Sequence, residues 1–340
     1  MSHDKPTSFD IAELAGVSQP TVSRALRGDK TVSEATRIRI EAIARQLNYK
    51  VDKNASSLRR GLTNTLALLF FEDPALDDSL INPFFLSMLG SITRTCATRG
   101  FDLLVSIQQL SANWHVDYED SRKADGIILL GYGDYEAYRV RLDQLVAQRT
   151  HFVRWGSVRP GQPGTTIGCD NVQGGLIAGR RLIASGRRRI AFLGDASERY
   201  PEFADRYRGL AQALREAKLP VDPGLQVDVV AFEDAGEDAA RRLLARGIPF
   251  DAIFAASDLI AIGAMRALAD AGRRVPHDVA VIGFDDLPAA ANAQPPLTTI
   301  AQDYAHAGEV LVDTLIASIA GKPVESAVLP TRLIERRSAG

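Results

Sequence analysis

Apolar positions in the first fifty residues recur every three or four places, the period of an amphipathic helix. Ile11, Leu14 and Ala15 share one face of a first short helix, Gly16 and Val17 make a tight turn, and Ser18 stands where an N-cap belongs. Val22 and Leu26 set the inward face of a second helix over 19–26, which stops at Gly28, a residue suited to a left-handed cap. A third helix after Ser33 carries Ile38, Ile40, Ile43, Ala44 and Leu47. Two helices on a short glycine-containing turn, with a third closing the core, predict a helix-turn-helix. From Thr65 the rhythm changes to short, continuously apolar runs at 65–71, 101–106, 126–130, 151–153, 189–193, 227–232, 252–255 and 279–284. Helical periods at 84–99, 174–185, 205–217, 236–246 and 259–271 alternate with them. Apolar strands interleaved with helices predict doubly wound parallel sheets. That much chain exceeds one small core, so two lobes are expected, with a ligand crevice at the carboxyl ends of their strands.

The second helix acquires a task once its inward face is spent. Gln19, Pro20, Thr21, Ser23 and Arg24 must face outward, and Gln, Thr, Ser and Arg all hydrogen-bond base edges in a major groove. A solvated face in a small bundle explains the same residues equally well. Charge breaks the tie: residues 1–62 carry 11 Lys and Arg against 7 Asp and Glu, a net of +4, while the rest of the chain carries −6. A basic module on an acidic body suits a protein that docks on phosphate with one end.

Composition removes other classes. Of 340 residues 46% are hydrophobic, enough for a large core, yet no apolar run approaches the ~18 residues a membrane span needs. The opening MSHDKPTSFD has no apolar core of an export signal, so a cytoplasmic protein without membrane contact is expected. Cys96 and Cys169 sit in no CxxC pair and the five histidines are scattered, which predicts free thiols, no metal and no cofactor. No GxSxG, P-loop, HExxH or GxGxxG string occurs and no nucleophile–base pair stands out, so an enzyme is not expected. A transport receptor for sugars would share the two-lobed body but would need an export signal and has no use for the basic module.

The strings IAELAGVSQPTVSRALRG, VSEATRIRI, LNY and ASSL resemble the DNA-binding headpiece of the lac repressor/galactose repressor family of bacterial transcription regulators. The likeness runs through the body: Asn82-Pro83-Phe84-Phe85, Cys169-Asp170-Asn171 before Gly174-Gly175, Ser257-Asp258, Gly283-Phe284-Asp285-Asp286, Pro295-Pro296-Leu297-Thr298-Thr299 before Gln302, and a closing LPTRLIERRS. The resemblance implies an all-α helix-turn-helix headpiece at 1–50, a hinge helix or linker at 51–63, and a periplasmic-binding-protein-like α/β body at 64–340. Its N-lobe would hold about 64–167 and 303–326 and its C-lobe about 168–298 and 328–340, with crossings near 165–170, 296–304 and 327–330.

By the same resemblance, DNA is contacted by Thr7, Ser18, Gln19, Pro20, Thr21, Ser23, Arg24, Asn48, Tyr49, Ala55 and Leu58. Gln19, Pro20 and Arg24 read bases, and Leu58 wedges into the minor groove, a recognised way to kink a duplex. Where the family often has Tyr-x-Pro-Asn, this chain has Tyr49, Lys50, Val51 and Asp52. The implied effector pocket is Phe84, Phe85, Arg154, Trp155, Arg206, Phe232, Ser257, Asp285 and Gln302. Without the resemblance, the three phenylalanines read as core and Asp285 as a helix cap. A neutral mono- or disaccharide is the expected effector, and a purine corepressor is the alternative. Many members carry an acidic residue at Arg154, so the arginine leaves room for an anionic ligand such as a sugar phosphate. The whole predicts a homodimeric repressor of carbohydrate-utilisation genes on near-palindromic operator DNA. No leucine heptads follow Arg337, so no tetramerising tail is expected.

Overall fold

The computed structural model describes residues 6–26, 28–49, 62–71, 81–131 and 133–340. The chain divides into two compact units between Thr63 and Asn64. In the first, α1 (Ser8–Ala15), α2 (Gln19–Leu26) and α3 (Glu34–Gln46) follow one another. Thr7 and Asp10 form a capping box at the start of α1, and Gly16 ends it with φ of 62°, a left-handed cap. Ser33 caps α3 by accepting from the Thr36 amide at 3.3 Å. The core is Ile11, Ala12, Ala15, Val22, Ala25, Ile40 and Ala44.

Two expected core residues are corrected: Leu14 is 63% and Ile38 54% exposed. At about 100° per residue, a stripe centred between Ala12 and Ala15 leaves Leu14 roughly 130° away, and Ile38 lies farther still from the Ile40–Ala44 line. Small alanines write the buried stripe, so the large aliphatic residues mislead. Leu26 is half-buried for the same reason, with Ala25 taking the inward place.

The second unit runs β1 (Thr65–Phe70), α4 (Pro83–Arg99), β2 (Asp102–Ile107), β3 (Gly126–Leu130), α5 (Tyr135–Ala147), β4 (Phe152–Trp155), β5 (Thr165–Cys169) and α6 (Asn171–Ala184). It continues with β6 (Ile190–Leu193), α7 (Pro201–Glu216), β7 (Gln226–Val227), α8 (Glu233–Ala245), β8 (Ala252–Ala255), α9 (Asp258–Asp270), β9 (Ala280–Asp285) and α10 (Pro288–Asn292). It closes with β10 (Thr298–Gln302), α11 (Tyr304–Ile319), β11 (Ala327–Leu329) and β12 (Thr331–Ile334). One six-stranded sheet has the order β11-β5-β4-β3-β1-β2 and the other β12-β10-β9-β8-β6-β7. β12 pairs antiparallel with β10, while the ladders on either side of β1, β4 and β8 are parallel.

The segments expected to be crossings are strands, and the chain changes sheet just past their ends. β5 hands over to α6 at Asp170, β10 to α11 at Asp303, and β11 to β12 at Pro330. The strand expected over 227–232 shrinks to Gln226–Val227, because β7 is an edge strand and the chain beyond it leaves the ladder. Helices begin a few residues before the expected places. α7 opens at Pro201, which a first helical turn tolerates, and α6 is capped by the Asp170 carboxylate accepting from the Gln173 amide at 2.9 Å. Among the described residues no helix is long and apolar enough to cross a membrane.

Candidate functional site

The carboxyl ends of neighbouring strands β9 and β10 set Asp285 and Gln302 side by side. The Gln302 amide donates to Asp285 Oδ1 at 2.6 Å. Arg206 reaches them from the second turn of α7 and is fully buried. Its Nε donates to Asn171 Oδ1 at 2.8 Å, its Nη1 donates to the Ala256 carbonyl, and its guanidinium carbon lies 3.7 Å from the centre of the Phe284 ring. Nη1 is 4.0 Å from Asp285 Oδ1. A buried cation persists only when held this fully.

Asp285 Oδ2 and Gln302 Oε1 are buried without a hydrogen-bond partner. Burial pushes the Asp285 carboxyl up to about 7, against the downward pull of Arg206 and Gln302. Burial, then the charge of Asp285, holds Asp258 well above the usual carboxylate range. Asp258 accepts from Thr299 Oγ1 at 2.5 Å and from the Leu287 amide at 2.7 Å. It thereby braces the turn after β9, where Asp285 and Asp286 adopt φ of 116° and 58°. Such non-glycine strain persists only where the surroundings over-determine it.

Across the cleft, Phe84 packs against Phe85 at 5.3 Å and Trp155 at 6.0 Å between ring centres, and all three are buried. Arg154, the neighbour of Trp155 on β4, is 4% exposed. Its guanidinium lies 5.3 Å from the Tyr135 ring centre, and its Nη2 is 3.4 Å from the Ser157 carbonyl. Thus Arg206, Asp285 and Gln302 form one bonded cluster, and Phe84, Phe85 and Trp155 an aromatic one. Ser257 and Phe232 occupy the N-cap positions of α9 and α8; the Ser257 hydroxyl accepts from the Ile260 amide at 3.3 Å.

The lobes touch. The Tyr135 amide donates to the Arg199 carbonyl at 2.9 Å, and the Ser157 amide to Glu202 Oε1 at 2.8 Å. Arg159 binds the carboxylates of Glu198 and Asp205 and donates to the Pro201 carbonyl at 3.1 Å. A cavity of 280 Å³ lies beside this seam, lined by Phe71, Trp114, Tyr138, Arg141 and Tyr200 among others. A smaller compartment is lined by Gln108, Tyr135, Arg154, Trp155 and Glu202. Of these neighbours, sequence reasoning missed Asn171, Glu202, Tyr135 and Gln108. Asn171 stood in the Cys169-Asp170-Asn171 string, and Glu202 stands four residues before Arg206, one helical turn away. Nothing in sequence marks Tyr135 or Gln108, which the fold brings in from a distance. Among the described residues no cluster of His, Cys, Asp and Glu converges as a metal site.

In the first unit, α2 displays Pro20 and Arg24 on an exposed face, with Arg24 Nε 3.4 Å from the Pro20 carbonyl. Gln19 is half-buried and donates to Ser8 Oγ at 3.1 Å. Ser18 and Thr21 share a hydroxyl contact of 2.9 Å, and Ser23 is half-buried beside them. Thr7 is exposed at the start of α1, Asn48 is exposed with φ of 49°, and Tyr49 packs on the three-helix core. Ala55 and Leu58 lie outside the described residues.

Residues 9–52 match the family model described as bacterial regulatory proteins, lacI family, and residues 180–339 match that of a periplasmic binding protein-like domain. The ribose operon repressor of Escherichia coli K12 is 31% identical over 339 residues, covering 98% of this chain and 99% of its own. The solved complex of the transcriptional regulator CelR with cellobiose superposes with a TM-score of 0.72 at 32% identity, covering 98% of this chain and 99% of that one. The lac repressor dimer bound to operator and the anti-inducer ONPF gives 0.82 at 26% identity, covering 99% of both chains. A helix-turn-helix unit followed by two largely parallel sheets that exchange the chain three times, matched end to end by these proteins, places this chain in the lacI family of bacterial DNA-binding transcriptional regulators.

Proposed function

We propose that the chain is a homodimeric, cytoplasmic repressor of carbohydrate-utilisation genes, released from a near-palindromic operator when a small sugar closes its cleft. One observation carries the sugar: two buried acceptors, Asp285 Oδ2 and Gln302 Oε1, lack donors beside the buried cation Arg206. An acceptor left unmade in a dry site costs free energy, and a ligand rich in hydroxyl groups supplies the missing donors. Phe84 and Trp155 offer flat faces for the CH side of a ring. Cellobiose and ribose in the names of the relatives point to the same chemistry.

Base reading falls to Gln19, Pro20 and Arg24, with Thr7, Ser18, Thr21, Ser23, Asn48 and Tyr49 around them. An exposed Arg24 suits a bidentate grip on guanine, and an exposed Pro20 suits an apolar contact with a thymine methyl. Gln19 must exchange Ser8 for a base on docking. The hinge at 51–63, with Ala55 and Leu58, connects this module to the body. β2, at the edge of its sheet, exposes Leu104 and Val105, and α4 exposes Leu86, an apolar surface that a second copy covers. A two-fold dimer then matches a two-fold operator. The sugar acts by its differential affinity for the two states, worth about 1–3 kcal/mol in such systems.

The test begins with duplexes selected from a random pool by the purified chain, followed by titration with sugars. The expected result is salt-sensitive binding to a near-palindrome, loosened by at least one sugar. Arg206→Ala is expected to keep the DNA affinity and lose the response. No salt-sensitive affinity for any duplex would end the DNA reading, and binding indifferent to every sugar would end the effector reading.

A further inference from the structure

Three of the buried polar atoms without partners, Arg154 Nε, Tyr135 Oη and Gln108 Oε1, belong to residues lining one compartment of about 20 Å³. It lies beside the 280 Å³ cavity and shares Phe71, Gln108 and Tyr138 with it. Arg154 meets a ring and a distant carbonyl, neither of which is an anion. Glu202 lines the same compartment, but its Oε1 already accepts from the Ser157 amide at 2.8 Å. A Cβ at Gly156 would fall 2.5 Å from Arg154 Nη1 and 3.0 Å from Glu202 Oε1, so a glycine there lets the two groups approach on the Nη1 side. The Nε side stays unmatched. A planar guanidinium with a free Nε is built to fork onto an oxyanion.

We infer that the effector is an anionic sugar whose carboxylate or phosphate is held by Arg154 and the Tyr135 hydroxyl. Resting on the sugar-effector reading above, this deepens it by naming the ligand class. Gln108 Oε1 accepts from a neighbouring sugar hydroxyl, and Glu202 takes a second. Trp155 lines this compartment and packs on Phe84, so the anionic group lies next to the ring faces named above. Charge agrees: Arg154 and Arg206 are both buried, and burial pushes Asp285, the acid nearest Arg206, toward its neutral form.

The experiment titrates the purified full-length chain by calorimetry and thermal shift with matched sets of pentoses and hexoses. Each set contains the neutral sugar, its uronate and aldonate, and its phosphate ester. An anionic member is expected to bind at least tenfold tighter than its neutral parent, and the carboxylate and phosphate arms tell which oxyanion is used. Arg154→Gln is expected to lose roughly ten- to a hundredfold in affinity for that ligand, with Arg154→Lys intermediate. A neutral sugar that binds as tightly as its acid, or a preference that survives Arg154→Gln, overturns the inference and leaves the sugar reading standing. The comparison on the unmodified chain is decisive even where a variant does not fold. If no sugar of any class binds, the sugar reading itself fails and this inference falls with it.

Discussion

Burial holds the Asp285 carboxyl near pKa 7, whereas an unfolded aspartate gives up its proton near 4. Between those values the folded chain binds more protons than the unfolded one, so this group's contribution to stability falls as pH rises through the window. Asp258, which burial also holds well above the usual carboxylate range, acts in the same direction. Asp285→Asn has no such proton. Relative to the parent, its stability in urea is expected to rise with pH between 5 and 7, by up to about 1.4 kcal/mol per pH unit. A difference constant across that range would mean that Asp285 is ionised throughout. Asp285 and Gln302 were legible in local strings and Arg206 through the family resemblance, but their joint burial was not. Contact between residues 206 and 285 depends on two sheet ends meeting a helix start, and no local period encodes that.

At the scale of elements, glycines decide how closely the cleft helices approach. A Cβ at Gly175 would lie 2.0 Å from the Arg206 carbonyl, one at Gly209 would lie 2.0 Å from that of Val172, and one at Gly263 would lie 1.9 Å from that of Glu233. α6 therefore meets α7, and α8 meets α9, backbone to backbone. On an exposed helix Gly→Ala gains up to about 1 kcal/mol. Gly175→Ala is instead expected to destabilise by about 1–3 kcal/mol, as overpacking does, and to weaken effector binding, because the clash falls on Arg206's own backbone. Thermal melts and a sugar titration check both parts, and a variant as stable and as tight as the parent would show slack between the helices. In the sequence Gly174-Gly175 reads only as the opening of a helical period. Its meaning comes from the partner helix, as the exposure of Leu14 and Ile38 came from the alanines beside them.

At the scale of the whole molecule, a seam of ion pairs and hydrogen bonds joins the two lobes. Arg159 and Ser157 tie the loop after β4 to Glu198, Glu202 and Asp205, so each lobe's position depends on the other. The edge strand β2 leaves Leu104 37% and Val105 47% exposed at the edge of the first sheet. If that strand lies in the dimer contact, Val105→Asp buries an unpaired charge there. Sedimentation is then expected to show monomers, and operator affinity is expected to fall roughly a hundredfold or more, since two half-site contacts are no longer tethered. A variant that stays dimeric with full affinity would remove β2 from the contact.

The sequence by itself determined the element types, the order of helix-turn-helix and doubly wound body, the net positive charge of the first unit and the residues at strand ends. All of these follow from spacing within a dozen residues, where period and turn chemistry act directly. Tertiary structure alone decided which apolar residues were covered, that the three crossing segments are themselves strands, and that Arg154, Tyr135 and Gln108 enclose one compartment with Glu202. Those outcomes depend on contacts between residues far apart in the chain, and their free energy appears only when the two sheets close over the cleft between them.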